Sequence, residues 1–437
     1  MTVPLRHFVV GLGFLGLGVL VGLGQVAAVV PGLATLAHVH LLLVGWVCVT
    51  IMGAMTQFVP VWSGTTLYSR RLASVQLLLV VVGLLGVVTG LLLGAVAWLV
   101  PFGVLLLGGF WVFAYNVGRT LLTLDDYDVT ERHFLLAVGF FVVLTGLGLV
   151  LAVDLSWPLF GGLPIDRAGV AGAHATIAVF GAILTTVYGA LYQLGTMFTQ
   201  TELHGLDGYL RRVEELGHPV GVVLLAGGRL LDGTTVAVVG AVLLLGAALA
   251  LAAILGRKLL EMQVDRTPMH TRYAVVVPSL AGWALLTLPA WLTAPTAPAH
   301  RFGAAGAVHL LVLGTVGFVV VGTLYHIVPF VIWVHRYSDR LGYDAVPMVD
   351  DLYDDRLAAA DGTLLAGGLL ALVAADWLGL PAAVSGVGGA LVAIGVLVFG
   401  TNMLLVIVEH SPHSLGRIVV GSLAPRSRAL WVGESEE

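Results

Sequence analysis

The sequence predicts an all-α integral membrane protein with twelve transmembrane helices arranged as three pseudo-repeats of four. The composition is 59% hydrophobic and only 10% charged, whereas soluble domains are about a quarter charged. Apolar runs repeatedly exceed the roughly 18 residues that mark a membrane-spanning helix. One group of histidines and glycines recurs along the chain. These observations exclude a soluble globular protein, a disordered chain and a nucleic-acid-binding protein, and they make the lipid bilayer the first partner.

Polar or turn-rich breaks divide the chain into twelve apolar segments. We place them near residues 8–30, 33–62, 73–98, 101–123, 133–153, 168–198, 217–231, 234–256, 272–293, 302–334, 361–378 and 382–408. The seventh is short and is interrupted by Gly227, Gly228 and Arg229. All should be helices, because lipid cannot satisfy open backbone groups. The first segment is too long for a signal-peptide core, and we interpret it as a retained helix.

One polytopic domain is therefore expected over residues 1–437. Its pseudo-repeats should cover about 1–132, 133–271 and 272–410, followed by a cytoplasmic tail at 411–437. Twelve spans put both termini on one side, and all but three of the 20 lysines and arginines fall on that side. The exceptions are Arg167, Arg229 and Arg301. The positive-inside rule then predicts a multi-pass protein of the plasma membrane with both termini in the cytoplasm.

The loops assigned to the cytoplasm are acidic, and Lys258 is the only lysine. This pattern is typical of proteins from salt-rich surroundings, although ordinary loop solvation produces it too.

Spans two, six and ten are similar to one another, with a period of 133–136 residues. Two sets of glycines and one set of polar residues align in these spans: Gly45, Gly181 and Gly314; Gly53, Gly189 and Gly322; Gln57, Gln193 and His326. The last set is interpreted as helix-end hydrogen bonding, with a quinone or proton-entry site as the alternative.

Histidines occupy the outer end of these three spans. His38 and His174 share one register, and His40 and His309 share a second register two residues later. Each lies about 8–10 Å inside its span at 1.5 Å per residue, where an unpartnered polar group is costly. His38 and His40 point about 200° apart around the helix, so they can serve two different sites.

Neutral imidazole is the usual ligand of haem iron and also binds copper. His40 and His309 have equivalent depth and register, and we predict that they hold one bis-histidine haem. His38 and His174 are candidates for a second metal. Cys48 is the only cysteine, which excludes cysteine-built zinc and iron–sulfur sites. The alternative is that the histidines bond helices together or lie at the lipid interface.

These features resemble subunit I of the haem–copper oxidase superfamily, which includes the terminal oxidases and the nitric oxide reductases. The string His38-Val39-His40, followed by Gly45-Trp46 and Val59-Pro60-Val61-Trp62-Ser63-Gly64, is also similar to a smaller branch of haem-binding membrane proteins linked to the nitric oxide response. The resemblance implies a low-spin haem between His40 (or His38) and His309, with His174 at the place of a copper ligand.

The chain departs from the oxidase pattern around the copper centre. The position two before His309 is Ala307 instead of a second histidine, and Ala178 follows His174 where an oxidase has tyrosine. The span-seven histidine pair is absent, and His218 lies at the wrong end of its span. The copper centre is therefore expected to be incomplete.

The predicted function is electron transfer, or reduction or sensing of a small gas such as oxygen or nitric oxide. The electron donor would be a cytochrome, a copper protein or a quinol. Arg229 and Arg301 could pair with haem propionates, or could simply anchor the chain at the interface. The rival prediction is a cofactor-free transporter or scaffold in which the histidines are structural.

The predicted orientation can be checked by cysteine labelling in a Cys48→Ala background. With a membrane-impermeant maleimide, we expect Gly161→Cys to be labelled in intact cells and Asp126→Cys only after permeabilisation. The reverse pattern would contradict the orientation.

Overall fold

The computed structural model describes residues 2–420, which form a bundle of α-helices and contain no β-strand. Eleven helices are long and apolar enough to cross a membrane, so the predicted all-α multi-pass class is confirmed. Together with one more long helix and a short C-terminal one, they are α1 (Thr2–Val26), α2 (Ala34–Trp62), α3 (Arg70–Leu93), α4 (Val96–Leu121), α5 (Val129–Asp154), α6 (Arg167–Thr199), α7 (Leu206–Leu230), α8 (Thr234–Leu260), α9 (Pro268–Thr293), α10 (Leu310–Arg336), α11 (Asp355–Leu378), α12 (Ala382–His410) and α13 (Leu415–Val420). Residues 421–437 of the predicted cytoplasmic tail lie outside the described residues.

Most helix ends lie within about six residues of the predicted segments, and the starts of two helices differ by more. Helix α7 begins at Leu206, well before the predicted 217. Its first half carries five charged residues, Asp207, Arg211, Arg212, Glu214 and Glu215, so it is not among the eleven apolar helices. Helix α10 begins at Leu310, whereas the prediction was 302. Gly303 has a φ of +114°, and a 3₁₀ turn at Ala305–Ala307 precedes the helix.

Three helix hairpins are packed through glycines: α3 with α4, α7 with α8, and α11 with α12. A Cβ placed on Gly83 would lie 2.6 Å from the backbone nitrogen of Leu106 on α4. A Cβ on Gly221 would lie 2.7 Å from the backbone nitrogen of Leu244 on α8, and a Cβ on Gly368 would lie 2.9 Å from the backbone nitrogen of Val392 on α12. Only a glycine allows these backbones to come so close.

The three helices that carry the repeated histidines, α2, α6 and α10, form the centre of the bundle. Each contains one π-helical stretch, at Leu41–Cys48, Ile177–Leu184 and Leu310–Gly317. Single-turn π segments are common at functional sites, and these three coincide with the aligned glycines Gly45, Gly181 and Gly314. The helices surround an apolar cavity of about 70 Å³, lined in part by the equivalent residues Thr50, Thr186 and Val319.

The two ends of the described chain meet at the same end of the bundle. The Nε of Arg6, near the start of α1, donates a hydrogen bond of 2.7 Å to the carbonyl of Ile418 in α13. Ile418 is fully buried. The chain therefore enters and leaves the bundle on one face.

Two glycines on α8 provide a matched test of the hairpin packing. A Cβ on Gly240 would lie 2.4 Å from the nitrogen of Leu225 on α7, whereas a Cβ on Gly246 would meet nothing within 4 Å. We expect Gly240→Ala to destabilise the protein by about 1–3 kcal/mol through overpacking. Gly246→Ala should leave the melting temperature in detergent unchanged or slightly higher. Equal melting temperatures for the two variants would contradict the close packing of α7 on α8.

Candidate functional site

Two of the candidate histidines, His38 and His174, are held in the same way in two different parts of the bundle. The Nδ1 of His38 bonds to the carbonyl of Gly18 on α1 at 2.8 Å, and the Nδ1 of His174 bonds to that of Leu144 on α5 at 2.9 Å. A carbonyl can only accept, so the proton lies on Nδ1 and the Nε2 keeps its lone pair. Each ring also lies against a glycine of the same neighbouring helix. A Cβ on Gly22 would be 2.6 Å from Cε1 of His38, and a Cβ on Gly148 would be 3.0 Å from Cε1 of His174.

The other two, His40 and His309, lie just before the π segments of α2 and α10. The Nδ1 of His40 bonds to the carbonyl of Leu36 on its own helix at 2.7 Å. The Nδ1 of His309 lies 3.3 Å from the carboxylate of Asp376 on α11, with angles that do not make a hydrogen bond. Among the residues that the structure describes, the Nε2 atoms of all four histidines have no hydrogen-bond partner. A metal-binding imidazole needs a far nitrogen that is fixed and a near one that is free, and His38, His40 and His174 meet both conditions.

Electrostatic interactions relate these histidines as two pairs. His38 interacts electrostatically with His309 across the gap between α2 and α10, where Trp46 also approaches Gly317. His174 interacts in the same way with His40, between α6 and α2. Of the two α2 residues considered for the partner of His309, His38 is the one that interacts with it electrostatically. His38 and His40 face opposite sides of α2, as their spacing predicted.

A third position, between α6 and α10, has no histidine and is filled by other side chains. In the register of the aligned glycines, Thr176 stands where His40 and His309 stand, and Ala307 stands where His38 and His174 stand. Trp283 and Trp291 are both fully buried. The ring of Trp283 stacks on Phe180, and the ring of Trp291 contacts Phe180 edge-to-face.

The two arginines predicted to meet propionates have different environments. Arg229 is buried and donates to the hydroxyl of Thr176 at 2.8 Å and to the carbonyls of Pro295, His300 and Arg301 at 2.9–3.0 Å. It therefore joins α6 to the segment that precedes α10. The guanidinium of Arg301 makes no hydrogen bond with the described residues and interacts electrostatically with His174. Both arginines border a half-polar cavity of about 490 Å³.

Two buried carboxylates at the other end of the bundle were not predicted as sites. Glu214 contacts His133 Nε2 at 3.2 Å and accepts from the Tyr192 hydroxyl at 2.8 Å. Asp361 pairs with Arg272 at 2.5 Å and accepts from the Tyr325 hydroxyl. A spacing rule could have found them, because Glu214 and Asp361 each precede a close-packed hairpin glycine by seven residues. Gln76 takes that place before Gly83, and its buried amide has no partner among the described residues.

Other polar residues singled out from the sequence do not gather into a site. His326 packs its ring against Phe198, with centroids 4.4 Å apart, while the side chains of Gln57 and Gln193 make no hydrogen bond within the described part of the chain. The Nε2 of His218 is engaged by Thr185 and by the carbonyl of Phe180, both at 3.0 Å.

A cluster of His204, Asp207 and Glu261 has the spacing of a cation site, but a side-chain ammonium already occupies its centre. The Nζ of Lys258 lies 2.9 Å from Asp207 and 2.5 Å from Glu261. This contact is the main cause of a lowered pKa of Glu261. The cluster is thus an internal ion pair.

No family model matches the chain, and no curated protein matches its sequence. The functional argument therefore depends on the geometry of the histidine pairs.

The buried pair between Arg272 and Asp361 makes a stability prediction. Asp361→Asn should leave the buried guanidinium uncompensated and cost about 3–5 kcal/mol. Asp344→Asn, which breaks the exposed pair with Arg340, should cost less than about 1 kcal/mol. Melting temperatures of the two variants in the same detergent compare them, and a smaller loss for Asp361→Asn would contradict the assignment.

Proposed function

We propose that this chain is a haem-binding redox protein of the plasma membrane, related in architecture to subunit I of the haem–copper oxidases. In this proposal twelve helices cross the membrane, α7 included, as three pseudo-repeats of four, and both termini face the cytoplasm. The three π segments in one register, the three glycine-packed hairpins and the contact of Arg6 with Ile418 support the repeat and the even number of crossings.

The observation that carries the proposal is the pair of His38 and His309. The two imidazoles come from different helices and interact electrostatically, and neither Nε2 makes a hydrogen bond with the described residues. The α1 face beside His38 is thinned by Gly22. This arrangement suits a bis-histidine haem, which needs two such nitrogens and a narrow apolar slot.

The chain's own residues would set the position and the electronic character of the ligands. The Gly18 carbonyl fixes the ring orientation and tautomer of His38, and it makes the Nε2 a stronger donor. Asp376 lies 3.3 Å from the Nδ1 of His309 without a hydrogen bond, so it would act on His309 through its charge alone. When bound, the haem supplies reversible one-electron chemistry.

Electron transfer fits these residues better than gas reduction. If His38 and His309 both hold the haem, the group would supply electron-transfer chemistry, and the place beside Thr176 is taken by Arg229. The donor would be a cytochrome, a copper protein or a quinol, and a copper centre at His174 would lack its other ligands.

A cofactor-free transporter or scaffold is the second candidate, and one observation favours it. His38 bonds to the backbone of α1 and His174 to that of α5, so these histidines also tie neighbouring helices together. This role alone would leave the Nε2 atoms without a purpose.

A spectrum of the purified protein separates the two candidates. For protein made with haem available, we expect sharp reduced-minus-oxidised haem bands. His309→Ala and His38→Ala should each remove the haem held by this pair, because one axial ligand is lost. His335→Ala is the matched control, since its ring bonds only to the carbonyl of Val331 on its own helix.

Membrane levels and gel-filtration profiles of the variants show whether they are folded. A colourless, metal-free, folded wild-type protein would overturn the haem proposal and favour the transporter or scaffold.

A further inference from the structure

We propose that the cavity bordered by Arg229 and Arg301 is a binding site for a small organic acid, whose carboxylate pairs with the two guanidinium groups. This inference does not depend on the proposed haem site. It assigns a ligand of its own to a cavity that the proposed function leaves unused.

The cavity of about 490 Å³ lies where three interhelical connections meet. Its wall is formed mainly by residues 163–169 at the start of α6, residues 229–232 at the end of α7 and residues 296–298 before α10. Ligand sites are commonly about 300–1,000 Å³ and combine an apolar wall with a few polar groups. Apolar residues such as Ile165 and Pro298 line this cavity beside the arginines, so it has room for the organic part of a ligand as well as its charged group.

The two arginines are held side by side by hydrogen bonds. The guanidinium of Arg229 donates to the carbonyl of Arg301 at 2.9 Å and to that of His300 at 3.0 Å. With its bonds to Thr176 and Pro295, Arg229 uses four of its five N–H groups. One N–H of Arg229 is therefore left for a ligand, within the part of the chain that the structure describes.

Arg301 supplies the donors that the protein itself does not use. Its Nε is buried and makes no hydrogen bond with any described residue. Burying a charged donor without a partner is costly, and here a second guanidinium lies next to it. An anion between the two groups would satisfy the free donors and offset both charges.

A third arginine assigned to the same side of the membrane shows the usual solution. Arg167 pairs with Asp154 at 2.7 Å and also donates to the carbonyl of Leu151. Within the described residues, no carboxylate plays this part for Arg229 or Arg301. The contrast points to a counter-ion that comes from outside the chain.

The acids at the edge of the cavity indicate which anion fits. Asp166 and Asp232 border the cavity and are both exposed, and Asp166 accepts from the backbone nitrogen of Gly169 at 2.7 Å to cap α6. Their negative charges oppose a doubly charged phosphate more than a singly charged carboxylate. The planar fork of arginine also matches a carboxylate in shape.

Titration with benzoate tests the site, by calorimetry on the protein in phosphatidylcholine nanodiscs. We expect benzoate to bind the wild type and to raise its melting temperature. Arg301→Gln removes the free donors and should weaken benzoate binding about 10- to 100-fold. Arg301→Lys keeps the charge without the planar fork and should bind more weakly than the wild type but more tightly than Arg301→Gln. Arg167→Gln is the matched control and should bind as the wild type does.

Melting temperatures without benzoate show whether the variants are folded. Arg301→Gln should melt at the wild-type temperature or slightly above it, because it breaks no hydrogen bond with a described residue and removes a like charge beside Arg229. Wild-type affinity for benzoate in Arg301→Gln, or no benzoate binding by the wild type, would overturn the proposal.

Further probes distinguish a free organic acid from other sources of an anion. Inorganic phosphate that binds as tightly as benzoate, or displacement of benzoate by phosphatidylglycerol in the nanodisc, would overturn the carboxylate assignment in favour of a phosphate or a lipid headgroup. Loss of haem from Arg301→Gln with unchanged benzoate affinity would assign Arg301 to a propionate and overturn the site. A colourless wild type that still binds benzoate would overturn the proposed haem and leave this site intact.

Discussion

An imidazole N–H inside a lipid bilayer must have an acceptor, because no water is present to provide one. In this bundle backbone carbonyls of α1, α2 and α5 meet that need for His38, His40 and His174. The bond fixes the tautomer, and the tautomer leaves the Nε2 as a free base. The requirement that makes a membrane histidine tolerable is thus the same one that makes it a ligand.

Glycines make this arrangement possible in two distinct ways. At Gly22 and Gly148 the missing side chain gives an imidazole a flat surface to lie on. At Gly83, Gly221 and Gly368 it lets two helix backbones approach, which fixes the hairpins outside the inner helices. Space beside the imidazoles and rigidity of the hairpins therefore come from the same residue type at different places in the fold.

Hydropathy predicted most helices to within a few residues, because alternation between apolar spans and polar loops is a strong signal. It missed the first half of α7. Asp207 and Glu214 are buried there because Arg257, Lys258 and His133 pair with them. A hydropathy average takes no account of partners on other helices. The carboxylates Glu214 and Asp361 escaped notice for the same reason.

The four histidines were identified from the sequence, but their pairing was not. Equal register suggested that His40 faces His309. The electrostatic interactions instead relate His309 to His38, and His174 to His40. The filling of the third position by Arg229 and two tryptophans needed the folded structure, because those residues come from distant segments.

The four histidines fall in two registers two residues apart, in or just before the first turns of α2, α6 and α10. Electrons exchanged between these places would travel parallel to the membrane surface. A charge that moves along the plane crosses none of the transmembrane voltage, which is worth about 2.3 kcal/mol per charge at 100 mV when fully crossed. Electron transfer along this path would be insensitive to the membrane potential. It would exchange electrons with partners on one side of the membrane only.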